Sequence, residues 1–303
     1  MSTSAGDIPV TFSASMGGRP AADGPDGATW LAALPRLIDE CVDQWGLLLD
    51  GTPTHGQCAL VIPCRWQGQD VVLKVTWPHP EARFEHLALR RWNGRGAVQL
   101  VAADPTRSAL LLERLDRSRD LHALPIMQAC AALGGLYREL DAAPVARVAD
   151  LPTEAARWAR ECRAGSPRVP RRMTEQAASL LRDLGPGSRE DLVHTDLHYA
   201  NALAAQRAPW LAIDPKPING EWEFAVAPAL WNRWEEALQA DSVRAHLRTR
   251  LEIVCDVAGL DRDRARGWSF VRLVLNALWE AEKTPPDQDA LSCYISAAKA
   301  MQE

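Results

Sequence analysis

Lysine is nearly missing from this 303-residue chain, with only Lys74, Lys216, Lys283 and Lys299 among its 34 basic residues. A lysine inside an apolar strand is therefore conspicuous, and Lys74, in Val71-Val72-Leu73-Lys74-Val75, is such a residue. No run of 18 apolar residues occurs, which excludes a membrane-spanning helix. The first 28 residues carry no basic stretch leading into an apolar one, so no secretory signal is expected and the default is a cytoplasmic enzyme or binding protein. Excess positive charge is also lacking. Lys+Arg 34 against Asp+Glu 39 leaves a net charge of −5, which disfavours nucleic acid and mildly favours cationic or neutral partners. The seven cysteines never form Cys-x-x-Cys, so neither a disulfide framework nor a zinc ribbon is indicated. No glycine precedes a lysine, no Gly-x-Gly-x-x-Gly follows a strand-like run, and no Gly-x-Ser-x-Gly occurs. These absences exclude a P-loop, a dinucleotide fingerprint and a nucleophile elbow.

Residues 1–28, rich in Ser, Gly, Ala and Pro, read as a mostly irregular arm with one short extended piece at Ile8 to Phe12. From Thr29 the apolar positions Trp30, Leu34, Leu37, Ile38, Cys41, Val42 and Trp45 follow helical spacing, and Gly46 ends it. Strand-like runs at Cys58 to Cys64 and Val71 to Thr76 flank Gly68-Gln69-Asp70, and a helical stretch runs from Glu81 to Trp92. Val98 to Ala102 and Ala109 to Leu115 complete a small antiparallel sheet carrying one helix, a lobe over 29–115. Beyond Asp116 helices dominate: Ile126, Cys130, Leu133, Tyr137 and Leu140 form one stripe, with further helices at Thr153 to Ala164 and Thr174 to Leu184. Short extended runs at Leu192 to His194, Ala202 to Ala205 and Trp210 to Ile213 interrupt them, and from Ala227 the chain is helical again. The second lobe spans 116–303, and the expected class is α+β.

The informative segment is His194-Thr195-Asp196-Leu197-His198-Tyr199-Ala200-Asn201, followed by Trp210-Leu211-Ala212-Ile213-Asp214. It fits the catalytic and metal-binding arrangement of kinase-like phosphotransferases. Phosphoryl transfer needs a carboxylate to orient a hydroxyl, and oxygen ligands to hold magnesium against nucleotide phosphates. Asp196 suits the first task, Asn201 and Asp214 the second. A plain polar loop would also contain such residues, and His194, Asp196 and His198 would also suit zinc in a metal hydrolase. Lys74, about 120 residues upstream on its strand, decides for the phosphotransferase, because that pattern requires a strand lysine for the α/β-phosphates. Glu85 is its expected ion-pair partner, with Glu81 the fallback. The Gly51 to Gly56 loop is either a phosphate cover or a plain hairpin. Leu110 to Leu115 reads as the lobe connection, where the Glu113 carbonyl and the Leu115 amide would meet adenine.

Lys-Val-Thr-Trp-Pro-His-Pro-Glu (74–81), Leu-Leu-Leu-Glu-Arg-Leu-Asp (110–116), His-Thr-Asp-Leu-His-Tyr-Ala-Asn (194–201) and Trp-Leu-Ala-Ile-Asp-Pro-Lys-Pro (210–217) together resemble the aminoglycoside/hydroxyurea antibiotic-resistance kinase family. Trp231-Asn232 and the stretch from Gly267-Trp268 to Leu278-Trp279 add to the likeness. The resemblance implies a two-lobed protein-kinase-like fold with a small antiparallel-sheet N-lobe and a mainly helical C-lobe. It implies ATP and Mg²⁺ as cofactors, a monomer, no membrane partner, and transfer of the γ-phosphoryl to a small-molecule hydroxyl. Streptomycin, at its 6-hydroxyl, is the implied acceptor, with hydroxyurea or another small molecule as the alternative.

Departures from the kinase pattern matter as much. Thr195 stands where protein kinases carry Arg, Asp214-Pro215-Lys216 replaces Asp-Phe-Gly, and no Ala-Pro-Glu follows, so protein substrates are not expected. Ala225, in Gly220-Glu221-Trp222-Glu223-Phe224-Ala225-Val226-Ala227, replaces a carboxylate that in the family braces the catalytic loop. We therefore expect altered loop support and an altered acceptor, or a catalytically impaired ligand-binding protein. A guanidinium-bearing acceptor calls for carboxylates beside the catalytic aspartate, and Glu221, Glu223, Glu235, Glu236, Glu280 and Glu282 are the candidates. Trp222, Trp231, Trp234 and Trp279 are candidates for stacking, although core packing is the commoner fate of tryptophan.

Overall fold

The structure, a computed structural model, describes residues 8–302 and divides between Leu115 and Asp116 into two compact units. The first contains helices α1 (Val10–Met16) and α2 (Gly27–Trp45), strands β1 (Leu48–Leu49), β2 (Thr54–His55), β3 (Ala59–Trp66) and β4 (Gln69–Thr76), helix α3 (Glu85–Trp92), and strands β5 (Leu100–Asp104) and β6 (Ala109–Glu113). The sheet is antiparallel, in the order β1-β3-β4-β6-β5, with β2 pairing on β3. Strand alternation sorts β4 into two faces. Val71, Leu73 and Val75 pack with Trp30, Leu34 and Ile38 of α2 in one apolar cluster, and Lys74 therefore emerges on the opposite face. The Asp26 carboxylate caps α2 by accepting from the Thr29 amide at 2.8 Å, and Gly46, at φ 63°, ends it in the left-handed conformation.

The N-terminal expectation needs correcting. Residues 10–16 are helical, and the extended piece expected at Ile8 to Phe12 is absent. Phe12 and Met16, four residues apart on one helix face, are fully buried, with Phe12 edge-on to Trp30 at 6.0 Å. A seven-residue helix with two apolar anchors has almost no periodic signal; tertiary burial holds it. Gly27 permits the docking, since a Cβ there would lie 1.9 Å from the Met16 carbonyl oxygen. Residues 1–7 of the expected arm lie outside the described residues. The helix expected over 81–92 is interrupted: Pro80–Ala82 form a single 3₁₀ turn before α3 begins.

The second unit begins with strand β7 (Asp116–Asp120), then helices α4 (Ile126–Glu139), α5 (Leu151–Ala164) and α6 (Arg171–Leu184). Strands β8 (Asp191–His194), β9 (Ala202–Ala204), β10 (Leu211–Ala212) and β11 (Pro217–Gly220) follow, then α7 (Pro228–Trp231), α8 (Trp234–Leu238), α9 (Val243–Ala258), α10 (Arg262–Glu282) and α11 (Gln288–Met301). Two small sheets, β10-β9-β7 and β11-β8, carry the loops between them. Strand β7, Asp-Arg-Ser-Arg-Asp, precedes the first helix and was not anticipated; it is held by pairing to β9 and has no apolar residue to announce it. Around these ribbons the helices enclose a core that includes Tyr137, Tyr199, Trp268 and Phe270. Arg250 is buried within it and donates to the carbonyls of Ala229, Asn232 and Arg233, which satisfies the ends of α7 and the turn before α8. Among the described residues no helix is long and apolar enough to cross a membrane.

Candidate active site

In the first unit the Lys74 ammonium donates to both carboxylate oxygens of Glu85, at 2.7 and 2.8 Å. Both side chains are buried, at 8% and 3% exposure, so neither charge has water to fall back on. Glu85 opens α3, where the positive end of the helix dipole favours a carboxylate. Glu81 is exposed, one turn earlier. Glu113 closes β6 opposite Val71, its amide donating to the Gln99 carbonyl at 3.0 Å, and Leu115 is the last residue of this unit.

In the second unit, the loop after β8 and the chain leaving β10 are tied together from both sides. The Ile213 amide donates to the Asn201 carbonyl at 2.9 Å, and the Thr195 amide and hydroxyl both donate to the Lys216 carbonyl, at 3.1 and 2.8 Å. Asp214 lies between those two ties, in the left-handed conformation at φ 54°, which turns the chain sharply after β10. Asp tolerates this conformation better than most residues. Within the loop, the Asn201 side-chain amide donates to the Asp196 carbonyl at 2.9 Å. Asp196, Asn201 and Asp214 thus come from one hydrogen-bonded cluster. Lys216, which the motif reading left without a role, completes it: its ammonium lies 2.9 Å from an Asp196 carboxylate oxygen. The scarcity of lysine that singled out Lys74 was the available signal.

His194 supports this cluster and cannot serve as a metal ligand in it. Its Nδ1 accepts from the Asp196 amide at 3.2 Å, so Nε2 carries the hydrogen and donates to the Ile213 carbonyl at 2.9 Å. Burial holds the ring neutral, with its pKa pushed down to about 4. His198 Nδ1 accepts from the Ala200 amide, and burial lowers its pKa too. With both His194 nitrogens committed, the zinc-hydrolase alternative loses its first ligand.

The description that matches residues 44–284 is that of the aminoglycoside/hydroxyurea antibiotic resistance kinases. The chain belongs to this family. It is 41% identical over 275 residues to a streptomycin 6-kinase of Streptomyces glaucescens, covering 86% of this chain and 87% of that one. It is 37% identical over 275 residues to a hydroxyurea phosphotransferase of Kitasatospora aureofaciens, covering 86% and 76%. Among solved structures it shares the fold of the aminoglycoside phosphotransferase APH(4)-Ia, described in a ternary complex with ADP and hygromycin B. The TM-score is 0.59 at 12% identity, covering 87% of this chain and 96% of that one. The α+β, protein-kinase-like class expected from the motifs is therefore the one this resistance kinase adopts.

An arginine adds to the support of this loop. Arg272 of α10 donates to the Thr195 carbonyl at 2.6 Å, with its guanidinium over the Phe224 ring at 4.7 Å and the Trp231 ring at 5.2 Å. Ala225 is fully buried, and its carbonyl accepts from the Tyr137 hydroxyl at 2.8 Å.

Several expected acceptor ligands are committed elsewhere. Glu221, 2% exposed, accepts from the Trp268 indole and from the Arg264 guanidinium at 2.6 Å. Glu223 is buried and accepts from the Asp261 amide at 3.2 Å, holding the start of α10. Glu280 is buried, takes the Lys283 ammonium at 2.6 Å and accepts from the Asp287 amide. These three are corrected from acceptor ligands to internal braces, because a buried carboxylate must be matched locally by donors. Trp222 is likewise core, stacked on Tyr137. Glu236 pairs with Arg233. Glu235, Glu282 and Trp279 are exposed, and Trp231 and Trp234 are half-buried. Trp279 lies two turns beyond Arg272 on α10 and donates to a Glu161 carboxylate oxygen at 3.2 Å. Two residues that sequence reading missed touch these candidates: Glu161, at Trp279, and Tyr294, edge-on to Trp231 at 6.1 Å.

Proposed function

We propose that this family member is an ATP-dependent O-phosphotransferase that moves the γ-phosphoryl of ATP to the 6-hydroxyl of streptomycin. The observation that carries the reading is the tied cluster of Asp196, Asn201 and Asp214, joined to the likeness to streptomycin 6-kinase over most of both chains. Asp196 orients the acceptor hydroxyl and takes its proton. Lys74, held forward by Glu85, binds the α/β-phosphates, while the backbone at Glu113 and Leu115 meets adenine.

The donor set suits Mg²⁺. The Asn201 side-chain nitrogen donates to the Asp196 carbonyl, so its Oδ1, together with the Asp214 carboxylate, would hold the ion. Hard oxygen donors of this kind are what magnesium takes. Bound there, the ion neutralises charge on the nucleotide phosphates.

On the acceptor side, Trp231 and Tyr294 form an aromatic pair beside the arginine that holds the loop, and we assign Glu235, Glu282 and the bonded Trp279 and Glu161 to the acceptor as its further polar and aromatic groups. Carboxylates and flat rings suit guanidinium groups. The free state of all seven cysteines and the use of ATP support a reducing, cytoplasmic setting, in which we take the enzyme to act as a monomer. Hydroxyurea is the second acceptor to consider, because a relative that bears its name covers the chain equally.

The test is mass spectrometry of streptomycin and of hydroxyurea after incubation with the protein, ATP and Mg²⁺. A one-phosphoryl mass gain on streptomycin alone is expected, located at the 6-hydroxyl by phosphorus-coupled NMR. A gain on hydroxyurea alone moves the acceptor, and a gain on neither overturns the reading.

A further inference from the structure

We propose that Lys216 is a catalytic residue of this kinase: a second cation that pairs with Asp196 before transfer and with the transferred phosphoryl during it. The proposal rests on the phosphotransferase reading above and adds a group that the motif does not assign.

Two independent contacts place Lys216 at the reacting centre. Its ammonium lies 2.9 Å from the Asp196 carboxylate, and its own carbonyl receives both the amide and the hydroxyl of Thr195, the residue before Asp196. Its position is therefore fixed to the catalytic loop by the backbone, while the side chain remains about one-third exposed and able to swing. Pro215 precedes it and restricts the turn from Asp214. An ammonium on a flexible stem is a compact charge that can exchange one oxygen partner for another without rebuilding the site.

The charge balance of the reaction gives that exchange a direction. The acceptor oxygen forms a bond to the γ-phosphorus, and the bond from that phosphorus to the β,γ-bridging oxygen breaks, its electron pair leaving with ADP. The hydroxyl proton passes to the Asp196 carboxylate. Asp196 is then neutral, and its hold on Lys216 weakens as an anionic phosphate ester forms beside it. Lys216 keeps its proton throughout and its attraction passes to the phosphoryl oxygens. A preorganised cation facing charge as it shifts stabilises the transition state more than the ground state. A resting cover would act in the opposite sense, since its removal would expose Asp196 and raise the rate.

The experiment compares native protein with Lys216→Met, Lys216→Arg and Lys216→Ala, reading kcat and KM for ATP and for streptomycin by product mass. We expect Lys216→Met to lower kcat by about 10² to 10³-fold with both KM values little changed, the size seen when one charge-stabilising donor is removed. Lys216→Arg should keep part of the rate. Added ethylammonium should restore part of the rate to Lys216→Ala and none to Asp196→Ala, a response that loss of loop packing alone would not give. Native-like or raised kcat in Lys216→Met overturns the proposal and leaves the kinase reading standing. A fall in all three variants with unfolding excluded by circular dichroism, yet with no amine rescue and no Arg advantage, also overturns it, in favour of a packing role. A native protein that phosphorylates no acceptor removes the kinase reading, and this proposal with it.

Discussion

Separating stability from catalysis at the buried Lys74–Glu85 pair is a sharp test of the first unit. Replacing Lys74 with Met takes the bidentate ammonium from a Glu85 carboxylate that is 3% exposed, and replacing Glu85 with Leu takes both carboxylate contacts from an ammonium at 8% exposure. Removing one member of a buried pair costs about 3–5 kcal/mol, because the remaining charge loses its bidentate contact and has little water to replace it. Removing both together, as Lys74→Met/Glu85→Leu, leaves no charge to desolvate, and stability should return to within about 1 kcal/mol of native or exceed it. Catalysis should not return, since the lysine proposed to bind the phosphates is gone. Urea unfolding gives the stability cycle, hydrogen exchange at the β4 amides assigns the loss to the first unit, and product mass gives turnover. A double variant as unstable as the singles would refute the desolvation argument. A double variant that turns over normally would refute the nucleotide role of Lys74.

Other expectations follow from the second unit. His194 has its pKa depressed by burial from 6.5 to about 4, so the folded state resists a proton that the unfolded chain accepts. Its stabilisation is complete above pH 6.5 and is lost as pH falls toward 4, a change on the order of 3 kcal/mol at ~1.4 kcal/mol per pKa unit. Unfolding free energies at pH 7 and pH 5 should therefore diverge more for native protein than for His194→Gln; equal slopes would contradict the buried neutral ring. Arg272→Met should lower kcat by about 10²-fold with KM for ATP unchanged, since a small misplacement of the loop carries that cost; unchanged kcat would show that the Thr195 carbonyl needs no donor from α10. Glu221→Ala should destabilise the protein by about 2 kcal/mol and leave KM for streptomycin unchanged. A rise in that KM without loss of stability would return Glu221 to the acceptor site.

How much was legible depends on how locally each feature is encoded. The loop from His194 to Asn201 and the strand holding Lys74 are short, chemically distinctive runs, and the family resemblance rested on them. Glu85 was the partner expected from the kinase-like pattern and Glu81 the fallback; the 3₁₀ turn that keeps Glu81 out of α3 was not legible. Helix α1 was not legible, because its two anchors Phe12 and Met16 are meaningful only against Trp30 and the close approach at Gly27. Strand β7 was hidden for the opposite reason: its exposed Asp-Arg-Ser-Arg-Asp has no apolar alternation, and only backbone pairing with β9 defines it. Two of the three misassigned carboxylates share one cause. Glu221 meets Arg264 and Trp268, and Glu223 the Asp261 amide, across about forty residues of sequence, and charge alone does not reveal whether a partner waits at that distance. Arg272, one arginine among many, carried no signal until α10 was seen to bring it to the Thr195 carbonyl.

The central claim is that Asp196 is the group that orients and deprotonates the acceptor, and Asp196→Ala tests it most directly when nucleotide binding and turnover are measured on one preparation. The account predicts that the variant binds ATP with affinity close to native and forms no phosphorylated streptomycin above background. Continued turnover at a native-like rate would contradict it.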